Sequence, residues 1–169
     1  MSKLFVFIPF KKSKLDMGKD LPPQAIDFQN TFNKVSSKLI RENINATIDS
    51  LEVVYSGTKF TVTKDDYIIV FAHGSKKTSD KLFSNEPDLE VTTDAVIKEL
   101  VTCKANTAKR ILFMCCYSAV TTDSKKHVAV LWKEKYPNQV VYGGDDAISY
   151  LFAATSTQIR ACCIALFTI

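Results

Sequence analysis

Tyr67-Ile68-Ile69-Val70-Phe71-Ala72-His73-Gly74-Ser75 decides the fold. Six apolar, partly β-branched residues run without a break into a histidine and a glycine. A run this short and this apolar is a strand buried on both faces, as in a parallel sheet. The same event recurs at Arg110-Ile111-Leu112-Phe113-Met114, which runs into Cys115-Cys116-Tyr117-Ser118. The residues between the two runs provide a loop and a crossover helix, which parallel neighbours need. Parallel neighbours open their carboxyl ends on one edge, where open α/β sheets place their sites. An imidazole and a thiol on that edge are the parts of a cysteine nucleophile with its base.

Working outward, Leu4-Phe5-Val6-Phe7-Ile8 reads as another buried strand, followed by a polar, basic loop from Lys11 to Asp20. Pro22-Pro23 opens a helix, since proline suits a first turn. Phe28, Phe32, Val35 and Leu39 recur at helical spacing on its inner face, and the helix is expected to end near Glu42-Asn43. Leu51, Val53 and Tyr55 alternate before Ser56-Gly57-Thr58, and Phe60 and Val62 alternate after it, which predicts a hairpin. Residues 75–91 are polar, include Pro87 and predict a surface loop. Thr92 or Thr93 with Asp94 can cap the next helix, whose buried stripe is Val96, Ile97, Leu100 and Val101.

Beyond the cysteines a polar stretch over 121–126 leads to a helix with Val128, Leu131 and Trp132 inward, stopped by Pro137. Gln139 to Tyr142 is a short strand that ends at Gly143-Gly144-Asp145-Asp146. A short helix with Ile148, Leu151 and Phe152 on one face follows, and Ala161 to Ile169 is a last apolar strand. Strands alternating with helices predict an α/β three-layer sandwich with a mostly parallel central sheet. Its length makes residues 1–169 a single domain.

Composition narrows the function classes. The 22 basic residues are spread among 18 acidic ones, and no Lys/Arg block is dense enough for a nucleic-acid footprint. No apolar run approaches the ~20 residues of a membrane span. Pro9, Phe10 and two lysines end the first apolar run, and no small-residue cleavage site follows, so the run reads as a strand and not a leader. The expectation is a cytoplasmic protein, or one delivered without a classical signal peptide. Four of the five cysteines form vicinal pairs, Cys115-Cys116 and Cys162-Cys163, in strand-like runs. Adjacent side chains on a strand point to opposite faces, which suits neither a disulfide nor a chelate. Cys103, Cys162 and Cys163 read as buried thiols of a reducing compartment.

His73 would sit at a strand's carboxyl end with an unperturbed pKa near ~6.5, suited to carrying protons. Gly74 lets the backbone turn sharply and leaves an amide to face a ligand. Of the two cysteines, one faces the core and the other the edge, and Cys116 lies further from the strand. A turn at Tyr117-Ser118 would bring N–H groups toward its sulfur, where they could also hold an oxyanion. Asp145 and Asp146 follow the next strand on the same edge; they read either as receivers of a basic side chain or as a helix cap with a solvated acid. Ser75 and Ser118 are placed at the mouth. His127, on a helix among lysines, reads as solvent-exposed with no role.

The ordered pair of motifs, Ile68-Ile69-Val70-Phe71-Ala72-His73-Gly74 and then Ile111-Leu112-Phe113-Met114-Cys115-Cys116-Tyr117-Ser118, resembles the caspase-like cysteine peptidases. That group includes caspases, metacaspases, legumain, gingipains, clostripain and the autoprocessing domains of large bacterial toxins. Asp88-Leu89-Glu90-Val91-Thr92-Thr93-Asp94 is similar to the family's segment between the motifs. The resemblance covers residues 67–120 well and the rest in element order. It implies a cysteine endopeptidase acting through a Cys-His dyad and a thioester acyl-enzyme. Cys116 would be the nucleophile, His73 the general acid/base, and the amides of Gly74 and Cys116 the oxyanion donors. It implies a protein or peptide substrate, no third triad residue, and no metal or organic cofactor. Asp145 or Asp146 would then match the acidic pockets of the arginine- and lysine-specific members, with Ser118 also lining the substrate site.

The chain departs from the family at Cys115, where alanine or glycine is usual, and it lacks a Gln-Ala-Cys-x-Gly sequence and a large/small subunit junction. Two other readings fit parts of the same text. A non-catalytic module of this fold would use Tyr117, Lys76 and Lys77 as a recognition surface. Ala72-His73-Gly74-Ser75 is also similar to the metal-inserting chelatases of tetrapyrrole synthesis, in which the histidine would bind metal; a second metal-binding histidine at the right place is missing.

Overall fold

A computed structural model describes residues 2–41, 48–122 and 125–146. In chain order the elements are β1 (Lys3–Ile8), α1 (Leu21–Arg41), β2 (Ser50–Tyr55), β3 (Tyr67–Phe71), β4 (Lys81–Phe83), β5 (Glu90–Thr92), α2 (Thr93–Thr102), β6 (Arg110–Met114), β7 (Thr121–Thr122), β8 (Lys125–Lys126), α3 (Val128–Lys135) and β9 (Val140–Gly143). Five of the strands form one sheet in the order β2-β1-β3-β6-β9, and every neighbouring pair is parallel. Three of the expected helices, α1, α2 and α3, flank it, so the α/β architecture with a parallel centre stands.

The order reverses between β1 and β3. From β1 the chain moves outward to β2, then returns past β1 and proceeds through β3, β6 and β9 in the other direction. Right-handed crossovers then put α1 on one face and α2 and α3, which pack on each other, on the opposite face. Every residue of β3 and of β6 is buried, which explains their uninterrupted apolar text. Each fully buried Leu, Ile or Phe side chain there contributes about 1.5–3 kcal/mol.

The flanking layers follow from periodicity. In α1 the buried residues Leu21, Ala25, Phe28 and Phe32 recur at turn spacing; the side chains of Val35 and Leu39 lie outside the described residues. Thr92 caps α2 by accepting from the Ala95 N–H at 3.2 Å, and Val96, Ile97 and Leu100 face inward while Val101 is half-buried. In α3, Val128 and Trp132 are buried and Leu131 only partly so. Trp132 packs on Phe113 of β6 with ring centroids 5.9 Å apart. Its Nε1–H donates to Gln139 Oε1 at 2.6 Å. The Gln139 amide nitrogen in turn donates to the carbonyls of Ala105 and Ala108, each at 2.9 Å. This buried glutamine pins the entry of β9 to the loop ahead of β6.

Three expectations change. The hairpin over 51–62 does not form: β2 is a parallel edge strand beside β1, and residues 58–62 form no strand. There Phe60 stacks on Phe5 and Phe7, with centroids 5.2 and 5.9 Å apart, and the Val62 N–H bonds the Cys103 carbonyl at 2.8 Å. Burial against β1 outweighs the alternation that suggested pairing. The polar stretch 75–91 is not all loop, because β4 and β5 pair antiparallel within it. Residues 121–126 hold a second short hairpin, β7 with β8. The helix expected around Ile148, Leu151 and Phe152, the strand 161–169, Cys162 and Cys163 lie outside the described residues.

Candidate active site at the carboxyl edge of the sheet

β3 and β6 pair in register from Tyr67↔Arg110 to Phe71↔Met114. Continued two steps past its last pair, that register sets His73 beside Cys116. The chains remain in contact there: a Cβ on Gly74 would lie 2.0 Å from the Cys116 carbonyl oxygen and 3.1 Å from its nitrogen. Only a residue without a side chain allows this approach. Among the described residues the Gly74 N–H has no hydrogen-bond partner.

β6 ends at Met114, so both cysteines lie in the bend and turn that follow it and not in a strand-like run, and they differ in burial. Cys115 is 1% exposed and its sulfur points back toward the Val70 carbonyl at 3.7 Å. Burial pushes the Cys115 thiol far above the ordinary range, which keeps it protonated and inert. Cys116 is partly exposed. Cys103, the residue that closes α2, is likewise pushed up by burial, to about 11.

The turn after Cys116 differs from the expected anion nest. Tyr117 adopts a left-handed φ of 58°, a conformation costly for a large side chain. The Tyr117, Ser118 and Ala119 N–H groups bond the carbonyls of Asp146, Cys115 and Gly144 at 3.1, 3.2 and 2.9 Å. They are therefore engaged in holding the loop and do not face the sulfur. Ser118, expected at the mouth, is 1% exposed. Its hydroxyl donates to the Phe113 carbonyl at 2.8 Å and accepts from the Gly144 N–H at 2.9 Å. It ties the cysteine loop to the end of β9 and presents nothing to a substrate.

Asp145 and Asp146 are exposed beyond β9, on the same edge. Desolvation and then the Asp146 carboxylate raise the Tyr117 phenol above its ordinary value, with a hydrogen bond between the two side chains contributing. Asp146 thus holds Tyr117 through both backbone and side chain. Ser75 is half-buried, and its Oγ accepts from the Lys77 N–H at 3.2 Å.

The residue missing from the sequence reading is Asp20. It stands at the end of the loop after β1, with a left-handed φ of 56°, and its carbonyl accepts the Gln24 N–H as α1 begins. Its carboxylate does not cap that helix. Oδ1 lies 2.6 Å from His73 Nε2, and the side chain is 3% exposed against 36% for His73. Asn85 completes the carboxylate's bonds: its Nδ2 donates to Oδ1 and its backbone N–H to Oδ2, both at 2.9 Å. Phe83 of β4 holds His73 by two reciprocal backbone bonds of 2.9 Å. The overlooked hairpin therefore fixes both members of the pair. A carboxylate only accepts, so Nε2 of His73 carries a hydrogen toward Asp20, and in the neutral ring Nδ1 is then the acceptor. The only available signal was an acid just before Pro-Pro, which reads as an ordinary cap.

His127 is also corrected. It is 4% exposed at the start of α3, and its Nε2 is buried without a hydrogen-bond partner among the described residues. Burial, then nearby Lys125, lowers its pKa. Among the described residues no three His, Cys, Asp or Glu side chains gather as a metal-binding group, and no helix is long and apolar enough to cross a membrane. No protein-family model matches the chain, and no curated protein matches it.

Proposed function

We propose that the chain is a caspase-like cysteine endopeptidase. The observation that carries this reading is the delivery of His73 and Cys116 to one edge by adjacent parallel strands, with Gly74 packed on the Cys116 backbone. Buried strands that end together in a proton carrier and a half-exposed thiol suit nucleophilic acyl transfer.

In this scheme His73 Nδ1 takes the Cys116 proton as the sulfur attacks the substrate carbonyl. The Gly74 N–H donates to the oxyanion. The imidazolium then protonates the leaving amine, leaving a thioester on Cys116, and His73 next activates water to release the acid. Asp20 holds Nε2–H throughout and stabilises the imidazolium. The dyad expected from the family thus becomes Cys116-His73-Asp20 here.

Fluorogenic peptides with Lys, Arg, Asp, Leu or Asn before the cleaved bond test the reading. Wild type should cleave at least one, and Cys116→Ala should cleave none while keeping its circular dichroism spectrum. Equal turnover by both proteins would sink the proposal. A preference for Lys or Arg would assign Asp145 to the substrate's side chain.

A further inference from the structure

Asp20 passes for an ordinary helix cap until the start of α1 is fixed. The helix begins at Leu21, and the Asp20 carbonyl accepts the first intrahelical bond, from the Gln24 N–H at 3.4 Å. A capping carboxylate bonds the N–H of the second or third helical residue. In α1 those residues are Pro22 and Pro23, and proline has no N–H. The two donors that would hold the Asp20 carboxylate on its own helix are therefore missing from the covalent structure. The first turn tolerates this because its N–H groups have no intrahelical partner in any case. The left-handed φ of 56° at Asp20 also departs from the extended backbone of a capping residue.

The carboxylate turns instead toward the carboxyl edge of the sheet. Oδ1 accepts from His73 Nε2 at 2.6 Å and from Asn85 Nδ2 at 2.9 Å, and Oδ2 accepts from the Asn85 N–H at 2.9 Å. The side chain is 3% exposed, so water is a poor competitor for these places.

We propose that Pro22, Pro23 and Asn85 are positioning residues for Asp20. The prolines withhold the competing donors of α1, and Asn85 supplies the donors that aim the carboxylate at His73. All three act through Asp20 and not on the substrate. The catalytic consequence rests on the Cys116-His73-Asp20 reading; the hydrogen-bond arrangement is measurable without turnover.

Pro22→Ala with Pro23→Ala restores both N–H groups. The full chain with this pair is compared with wild type, with Asn85→Ala and with the triple variant, each checked for folding by circular dichroism. Nitrogen-15 NMR of the neutral His73 ring should find the proton on Nε2 in wild type, less so in the proline pair, and least in the triple variant. Within the Asn85→Ala background the proline pair should lower kcat roughly 2- to 30-fold, the weight of a helix cap, with KM little changed. In an Asp20→Ala background the same pair should change neither quantity, whereas an effect on α1 unrelated to the carboxylate would persist there. If the pair does not fold, Pro23→Ala alone restores one donor and carries the same expectation. Ring shifts unchanged in both the proline pair and the triple variant, or an effect that survives Asp20→Ala, overturn the inference and leave the nucleophile reading standing. Equal turnover by wild type and Cys116→Ala sinks the peptidase reading, and the ring shifts still decide the positioning.

Discussion

His73 Nε2 and Asp20 Oδ1 meet at 2.6 Å across the point where the strand order of the sheet reverses. β3 delivers the imidazole and the β1–α1 loop delivers the carboxylate. Open α/β sheets bind and react ligands at such a reversal, because loops on its two sides diverge and leave a crevice. The thiol comes from the next strand over, so three consecutive strands of the sheet, β1, β3 and β6, each supply one group.

Asp20→Ala should therefore slow turnover more than it weakens binding. In the Ser-His-Asp template the equivalent carboxylate is worth up to about 10⁴ in kcat, and a loss of roughly 10²- to 10⁴-fold is expected here with KM little changed. Nitrogen-15 NMR of the His73 ring gives an independent reading: Nε2 should carry the proton in wild type and lose that preference in the variant.

Gly74→Ala places a methyl group 2.0 Å from the Cys116 carbonyl oxygen. Overpacking of this kind costs about 1–3 kcal/mol. The β3 and β6 loops must separate, so Cys116 alkylation should slow even where thermal unfolding shows the protein still folded. Wild-type reactivity in this variant would contradict the contact.

Cys115→Ala removes a small buried side chain and no reactive group. It should lower stability by about 1–2 kcal/mol, as small core truncations do, and leave the proposed peptide cleavage intact. Chemical denaturation and turnover on one preparation check both parts.

Ser118→Ala leaves the Gly144 N–H and the Phe113 carbonyl without their shared partner. Stranding buried polar groups costs about 1–3 kcal/mol. The loss should be seen in thermal unfolding, and any effect on substrates should be the same for all of them, unlike that of a pocket residue.

His127 titrates below the ordinary histidine range because it is buried. The unfolded chain then binds this proton first, so stability is full above about pH 6.5 and falls as pH drops from there toward the lowered folded value. Replacing His127 by leucine should reduce the decline in Tm between about pH 7.5 and pH 5. An unchanged pH slope would place the imidazole in water.

The central layer was legible in the text because β3 and β6 are buried on both faces and admit only apolar residues. The split between Cys115 and Cys116 was expected from alternation and from distance to the strand; the second reason holds, since β6 ends at Met114 and Cys116 lies in the turn beyond it. The sequence could not reveal Asp20, because a left-handed aspartate before Pro-Pro reads as a cap, and its partner lies 53 positions away. Phe60 and Val62 misled for a related reason: alternation says that one side of a segment is apolar, not whether a strand or a sheet face covers it. Ser118 and His127 look polar in the text and are buried in the fold, where one finds two partners and the other leaves a nitrogen without a partner among the described residues.

Because Asn85 and Phe83 together grip Asp20 and His73, the groups of the proposed site are assembled from segments scattered between residues 20 and 116. On the proposed reading, no excised peptide of the chain should react as the whole chain does. Thiol reactivity at Cys116 should consequently appear in one step with global refolding, which makes a single alkylation rate a gauge of how many molecules have reached the native topology.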